Sequence, residues 1–282
     1  MQIDSNTETP YAQVMPEIDL FQVDSFASSP FKGNPAAVCL LDAPAEPDWM
    51  QQVAAEMNLS ETAFVSRRTQ DSSWDLRFFA PLAEVDLCGH ATLAAAHVLW
   101  ETQLLSLEEN AVFHTKHDEL IATSLAQKRE IKLVFPLTPV EPVAEALCYQ
   151  EAIVHPVRFA GKSCFDYLFE IDSATALRDL KPDRAKLAEL DCRGVIVTAR
   201  SDRAAYDVES RFFAPRLGIE EDPVTGSAHC AIGSYWKEKI GQSDLLGHQA
   251  SKRGGDLRLS VGEDTVDIFC QAVTVVKGQL FT

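Results

Sequence analysis

The chain of 282 residues carries one five-residue segment twice. The segment Arg-Phe-Phe-Ala-Pro stands at residues 77–81 and again at residues 211–215, and each copy precedes a glycine, Gly89 or Gly226, that opens a run of small apolar residues. Because two copies of one supersecondary unit must bury the same kind of surface, this repeat constrains the fold more than local propensity does. The sequence therefore predicts two similar lobes, each with a strand, a polar loop and a buried helix, and a cleft between them whose walls carry the two loops.

Hydrophobic periodicity predicts many strands and few helices, without the regular alternation typical of a doubly wound parallel sheet. Besides the runs after the two repeats, the expected helices cover residues 47–57, 174–180 and 184–189. The expected strands cover residues 18–24, 36–41, 75–79, 130–135, 154–159, 166–171, 194–198, 208–213, 257–261, 265–269 and 272–280. The run from Ala91 to Trp100 is apolar on nearly every side, which indicates a helix surrounded by protein. We therefore predict an α+β fold with a sheet around one central helix in each lobe.

The predicted lobes divide the chain into two long segments. Residues 18–128 form the expected N-terminal lobe, which residues 271–282 complete, and residues 129–270 form the C-terminal lobe. Residues 1–17 are polar and are expected to form a loose tail. They lack the basic start and apolar core of a secretory signal.

Composition argues against several classes of protein. The formal net charge of −17 and the pI near 4.8 argue against nucleic-acid binding, which requires a basic face. No apolar run reaches the ~18 residues of a membrane span. The seven cysteines show no CxxC spacing, which indicates reduced thiols and a cytoplasmic location. The sequence has neither a glycine-rich phosphate loop nor a cysteine–histidine ligand motif, so we expect no nucleotide cofactor and no metal.

Several short segments, in the right order along most of the chain, resemble motifs of the phenazine-biosynthesis (PhzF-like) isomerase family. The two most specific are Asp-Leu-Cys-Gly-His-Ala-Thr at residues 86–92 and Glu-Asp-Pro-Val-Thr-Gly-Ser-Ala at residues 221–228. The others lie at residues 32–38, 59–64, 249–251 and 253–255. The family's fold is that of diaminopimelate epimerase, with two pseudo-symmetric lobes, each a curved, mostly antiparallel sheet wrapped around a central helix. This agrees with the architecture that the repeat predicts.

The resemblance also implies an activity. Members of this family are cofactor-independent isomerases, commonly homodimers, with the active site between the lobes. The best-understood member moves a proton across a cyclic dihydro-hydroxyanthranilate. For this chain the resemblance implies a proton shift on a small cyclic or amino-acid-like carboxylate, without identifying that substrate or a pathway.

Glu61 and His90 are the first candidates for catalysis. Glu61 stands among apolar residues, and a carboxylate in a desolvated pocket has a raised pKa, as a general acid/base requires. The resemblance matches it to the family's catalytic glutamate. His90 opens the first buried helix, where the helix dipole favours neutral imidazole. The alternatives are a surface carboxylate for Glu61 and a histidine hydrogen-bonded within the fold for His90.

Asp222 is the third catalytic candidate, because it could pair with His90 or position a substrate amine. Gly89, Gly226 and Ser227 are the substrate-binding candidates, since N–H groups at a helix start bind a carboxylate. Asp222 and Ser227 are also residue types that cap helices, and that role is compatible with binding.

Cys88 occupies the place of one of the two proton-exchanging thiols of diaminopimelate epimerase, but Thr225 occupies the place of the other. A two-thiol racemase is therefore disfavoured, and we expect Cys88 to be a buried small residue. Arg77 and Arg211, in the repeated segment, are expected to form salt bridges. A binding or interaction protein without turnover is the remaining alternative, which the presence of a candidate base disfavours.

Overall fold

The computed structural model describes residues 17–143 and 146–281, with the side chains of residues 146–148 left undescribed. Its helices are α1 (Pro47–Met57), α2 (Gly89–Glu101), α3 (Ala146–Ile153), α4 (Ala174–Asp179), α5 (Arg184–Glu189) and α6 (Gly226–Ile240). Its strands are β1 (Glu17–Ser25), β2 (Asn34–Leu41), β3 (Glu61–Arg67), β4 (Trp74–Phe79), β5 (Glu84–Val85), β6 (Ala111–His114), β7 (Glu119–Leu125), β8 (Glu130–Pro136), β9 (Glu141–Pro142), β10 (Phe159–Lys162), β11 (Asp166–Glu170), β12 (Gly194–Arg200), β13 (Val208–Ala214), β14 (Ile219–Asp222), β15 (Asp244–Gln249), β16 (Gly255–Val261), β17 (Thr265–Cys270) and β18 (Ala272–Phe281). This mixed content, a large sheet with few helices, confirms the predicted α+β class.

The strand pairings follow the same order twice. One half of the sheet runs β18–β1–β2–β3–β4–β6–β7–β8, and the other runs β9–β10–β11–β12–β13–β15–β16–β17. In each half two pairs are parallel, β2–β3 and β4–β6 in the first and β11–β12 and β13–β15 in the second. The other pairs are antiparallel, and β8 and β17 join the two halves. Parallel neighbours need a crossover, and α1, α2, the α4–α5 segment and α6 supply it.

Strand β18 returns from the end of the chain to pair with β1, while β8 pairs with both β7 and β17. The exact division into lobes near residues 128 and 270 stays a prediction. The loose tail expected for residues 1–17 lies outside the described residues, apart from Glu17, which begins β1.

Helices α2 and α6 fill the interior of the two halves. In α2 the side chains from His90 to Trp100 are buried at every position but His97. Helix α2 packs against β1, β2 and β3, and α6 packs against β15, β16 and β17. The apolar run that predicted a helix surrounded by protein is therefore explained by its position between curved strands.

One predicted strand, over residues 154–159, is wrong. Helix α3 ends at Ile153, and β10 begins only at Phe159. Ile153 is fully buried, whereas Val154 is 62% exposed and has a left-handed backbone conformation, with φ of 57°. The apolar pair belongs to the end of a helix, and Pro156 beyond it lacks the N–H that a strand ladder needs. By contrast, the strands predicted over residues 257–261 and 265–269 are confirmed as β16 and β17, which pair antiparallel. Ser173 caps α4 by accepting the N–H of Ala176.

Across residues 17–143 and 146–281, none of the helices has both the length and the apolar character needed to span a bilayer. The six cysteines that the structure describes are free thiols.

Candidate active site

The two buried helices begin in the same way. Helix α2 starts at Gly89 after Cys88, and α6 starts at Gly226 after Thr225, and neither preceding side chain caps its helix. A Cβ at Gly89 would lie 3.2 Å from Phe135 Cζ, and one at Gly226 would lie 3.2 Å from Phe26 Cζ. Glycine at both positions therefore lets an aromatic ring and the first turn of the helix pack closely. Ser227, the second residue of α6, is half-buried.

Glu61 and His90 meet at the start of α2. Glu61 is the first residue of β3, and its Oε2 lies 3.2 Å from Nε2 of His90. The contact lacks hydrogen-bond geometry, and Oε2 has no hydrogen-bond partner among the described residues. The side chains are only 15% and 9% exposed. A buried carboxylate oxygen without a partner is costly to maintain, which is typical of a functional site.

The local environment moves the two pKa values in opposite directions. The pKa of Glu61 is raised to about 7, because burial and, to a smaller extent, the charge of Asp222 raise it more than a hydrogen bond from the Cys88 thiol lowers it. Burial lowers the pKa of His90 to about 3. The imidazole is therefore neutral over the working range, as the sequence suggested, although burial is the cause rather than the helix dipole. Glu61 can exchange a proton near neutral pH, as a general acid/base must.

Asp222 joins the site through Asn34 rather than by direct contact with His90. It ends β14 and is 8% exposed. The amide of Asn34 donates to Asp222 Oδ1 at 2.9 Å, and its nitrogen lies 3.4 Å from His90 Nδ1. Burial raises the pKa of Asp222 to about 6, while hydrogen bonds from Thr225 and Asn34 lower it. Asn34 and Glu61 come together because β2 and β3 are parallel and begin side by side.

The loop before α6 is held by Gln249, the last residue of β15. Its Nε2 donates to the Asp222 carbonyl at 2.8 Å, and its Oε1 accepts the Thr225 N–H at 2.9 Å. Ser251 adds a hydrogen bond to the Pro223 carbonyl at 2.7 Å. The Gln-Ala-Ser segment found in the sequence thus shapes the loop that carries Asp222.

Cys88 lies against both residues of the Glu61–His90 pair. Burial raises the pKa of its thiol well above the ordinary value, so the sulfur keeps its proton. One ligand atom from each of Glu61, Cys88 and His90 lies within 4.8 Å of the others. However, Cys88 Sγ is 3.3 Å from Nδ1 of His90 and 4.0 Å from Nε2, the nitrogen that faces Glu61. Cys88 is thus nearer to one ring nitrogen and Glu61 faces the other. A metal ion bound by His90 would use one nitrogen only, so this arrangement fits a tetrahedral metal centre poorly.

The structure therefore brings together Glu61, His90 and Asp222, with Gly89, Gly226 and Ser227 at the starts of the two helices. Neither Asn34 nor Gln249 was assigned a role from the sequence. Asn34 stands between a glycine and a proline in a segment that reads as a turn. The structure shows that Asn34 is fully buried, which a turn pattern in the sequence does not indicate.

Residues 23–278 match the family described as "Phenazine biosynthesis-like protein". An uncharacterized isomerase of Halalkalibacterium halodurans is 46% identical over 265 residues, which span 93% of this chain and 97% of that protein. A crystal structure of a phenazine biosynthesis protein of the PhzF family from Enterococcus faecalis has a TM-score of 0.89 at 37% identity, covering 95% of this chain and 100% of that one. A hydroxyproline epimerase from Agrobacterium vitis, with bound trans-4-hydroxy-L-proline, has a TM-score of 0.61 at 10% identity, covering 94% and 92%, and shows a likeness of fold alone.

Proposed function

Because the chain belongs to the phenazine biosynthesis-like (PhzF) family, we propose that it is a cofactor-independent isomerase that moves a proton on a small cyclic or amino-acid-like carboxylate. The isomerase name of its relative from H. halodurans supports the reaction class. The observation that carries the proposal is Glu61, a buried carboxyl whose pKa is raised to about 7 and whose Oε2 lacks a hydrogen-bond partner among the described residues.

Glu61 is the proton carrier in this proposal. Ionised, it removes a proton from a carbon or heteroatom of the substrate, and the resulting carboxylic acid returns the proton at a second position on the same face. A pKa near 7 suits both steps, because the group is neither too weak a base to accept the proton nor too weak an acid to return it. The neutral His90 beside it is available to donate a hydrogen bond to the substrate, and it does not compete for the proton.

Asp222 and the helix starts bind and orient the substrate. The N–H groups at Gly89, Gly226 and Ser227 take the substrate carboxylate, since the first turn of a helix has unpaired donors and a favourable dipole. Asp222, linked to His90 through Asn34, positions an amino or hydroxyl group. This division of work leaves Glu61 facing the atom from which the proton is taken.

A two-thiol racemase is a poor fit to this site. Thr225 stands where a second thiol would be needed, and its hydroxyl donates to Asp222. We expect Cys88→Ala to keep activity within about tenfold, since the proposal gives the proton to Glu61. Complete loss of turnover in a folded Cys88→Ala protein would revive the racemase alternative.

Glu61→Gln separates an isomerase from a binding protein of the same fold. The amide has the size of the carboxyl group but cannot take a proton, so turnover should fall by at least 10²-fold, the lower range for loss of a general base. Binding of the same compound, followed by calorimetry, should persist. Retained turnover in Glu61→Gln would reject Glu61 as the base.

The homodimer implied by the family resemblance and the cytoplasmic location indicated by the cysteine pattern belong to the same proposal. Light scattering on the purified full chain tests the first, and fractionation of cells that express it tests the second.

A further inference from the structure

We infer that Asn34 is a positioning residue that holds His90 as the tautomer with a bare Nδ1 and a protonated Nε2. This inference rests on the proposed function and deepens it, because the tautomer determines whether the His90 nitrogen that faces Glu61 carries a proton. It rests on the hydrogen bonds of three buried side chains, Asn34, His90 and Asp222, which are 0%, 8% and 8% exposed.

The orientation of the Asn34 amide follows from its partners. The atom placed as Nδ2 lies 2.9 Å from the Val224 carbonyl oxygen and 2.9 Å from Asp222 Oδ1. A backbone carbonyl only accepts hydrogen bonds, so the atom facing it must be the NH₂ group. The amide oxygen lies on the other side, where Ser60 Oγ approaches to 3.5 Å. A flipped amide would set two oxygens against each other at Val224.

The same NH₂ group lies 3.4 Å from Nδ1 of His90. An amide NH₂ group has two hydrogens and no useful lone pair, so it cannot accept a hydrogen bond from an Nδ1–H. A proton on Nδ1 would therefore point at another donor at a buried position. The remaining neighbour, Cys88 Sγ at 3.3 Å, keeps its proton but directs it to Glu61, so its sulfur offers an Nδ1–H at most a weak acceptor. The Asn34 amide therefore favours an unprotonated Nδ1.

A neutral imidazole carries a single N–H, which must then lie at Nε2. Nε2 is 3.2 Å from Glu61 Oε2. In this tautomer the Nε2–H of His90 is free for a substrate atom placed beside Glu61, and Nε2 cannot act as a base. Glu61 is then the group that removes the proton. Asn34 maintains this assignment by keeping Nδ1, the ring nitrogen away from Glu61, unprotonated. The role resembles that of the neighbouring groups that fix the tautomer of metal-bound histidines through the ring nitrogen away from the metal.

The test is long-range ¹H–¹⁵N NMR on the full chain labelled with ¹⁵N-histidine, which distinguishes protonated from bare ring nitrogens. The His90 signals are identified by their absence in His90→Gln. In the wild type we expect Nδ1 to show the shift of a bare nitrogen and Nε2 that of a protonated one, across pH 6 to 8. The opposite assignment in the wild type would overturn the inference without any variant having to fold.

Asn34→Ala removes the NH₂ group that opposes a proton on Nδ1. We expect both His90 nitrogen signals to move toward intermediate positions, as in a mixture of tautomers. Ser60→Ala is the matched control, because it removes the partner of the amide oxygen and leaves the NH₂ group in place. Cys88→Ala should also leave the signals unchanged. Unchanged signals in a folded Asn34→Ala protein, or an inverted tautomer in Cys88→Ala, would contradict the role of Asn34.

These spectra are recorded without substrate. Failure of the proposed isomerase activity would therefore leave the tautomer assignment standing, and an inverted tautomer would not by itself remove Glu61 as the base.

Discussion

Glu61 Oε2 and His90 Nε2 lie 3.2 Å apart, and the pKa of the carboxyl is raised to about 7 while that of the imidazole is lowered to about 3. The pair is therefore not a salt bridge near neutral pH, since the imidazole carries no charge. It combines a carboxyl group ready to exchange a proton with a neutral hydrogen-bond donor. Separation of two neighbouring pKa values in this way is how enzymes give different acid–base roles to adjacent groups.

The burial of Glu61 should reduce stability at high pH. Its pKa is raised from 4.5 to about 7 in the folded chain, so folding favours the protonated form, and that contribution is lost as pH rises from about 4.5 through 7. One pKa unit corresponds to about 1.4 kcal/mol, which makes the expected loss about 3 kcal/mol. Glu61→Gln should therefore gain stability relative to the wild type over this range, as measured by urea unfolding at pH 4, 6 and 8.

Glu56→Gln, on the exposed side of α1, is the control for that series and should show no comparable rise. A Glu61→Gln difference that stays flat with pH would mean that the carboxyl is solvated in the folded chain.

The rate of turnover should depend on the ionisation of Glu61. For a compound that the enzyme converts, kcat/KM should level off above pH 7, fall about tenfold per pH unit below it because only the Glu61 carboxylate can accept a proton, and fall more steeply below pH 6, where Asp222 also becomes protonated. His90 adds no limb between pH 5 and 8, since its pKa lies near 3. Initial rates from pH 5 to 9 provide the test, and a profile without an acid limb would exclude Glu61 as the base.

The two helix-start glycines should differ in their tolerance of a methyl group. Each Cβ would meet an aromatic ring at 3.2 Å, but Phe26 beside Gly226 is 1% exposed whereas Phe135 beside Gly89 is only half-buried. The buried ring cannot move aside as easily. We expect Gly226→Ala to cost about 2 kcal/mol in the free energy of unfolding and Gly89→Ala less than about 1 kcal/mol. Equal losses would show that the ring environments are alike.

The repeated segments offer a second matched pair. Arg77 Nε donates to Glu84 at 2.7 Å, and Arg211 makes a two-bond pair with Glu221 at 2.7 and 2.8 Å. Arg211 is more deeply buried and also donates to the Leu180 carbonyl at 2.6 Å. Replacement by Met should therefore destabilise the protein by about 3 kcal/mol at Arg211 and about 1 kcal/mol at Arg77 in denaturant unfolding. The reverse order would contradict the structural role given to these arginines.

Much of the fold could be predicted because the signals were local or repeated. The apolar run of α2 and the alternating residues of β1 each depend on one element and its burial, and the repeat added the similarity of the two halves. The strand predicted just after α3, over residues 154–159, was wrong because the local pattern there was misleading. Ile153 and Val154 are adjacent β-branched residues, which favour a strand, but tertiary packing buries the first as the last residue of a helix.

The site was predicted in part for the same reason. Glu61 and His90 could be selected from their neighbours in the chain and from the resemblance. The link from Asp222 through Asn34 to His90 spans more than 180 residues. It depends on the approach of the β2 start to the β14 end, which no local pattern reports. Hence, of the two roles that the sequence suggested for Asp222, the direct pair with His90 is replaced in the structure by a bridging amide.

The most direct test of a proton-transfer isomerase is deuterium exchange from solvent. Small cyclic and amino-acid carboxylates are incubated in D₂O with the wild type or with Glu61→Gln and followed by proton NMR. The account predicts that one compound loses a proton signal and gains deuterium with the wild type, and that Glu61→Gln binds this compound without exchanging it. Equal exchange by both proteins, or a compound that binds tightly without any exchange by the wild type, would contradict the account.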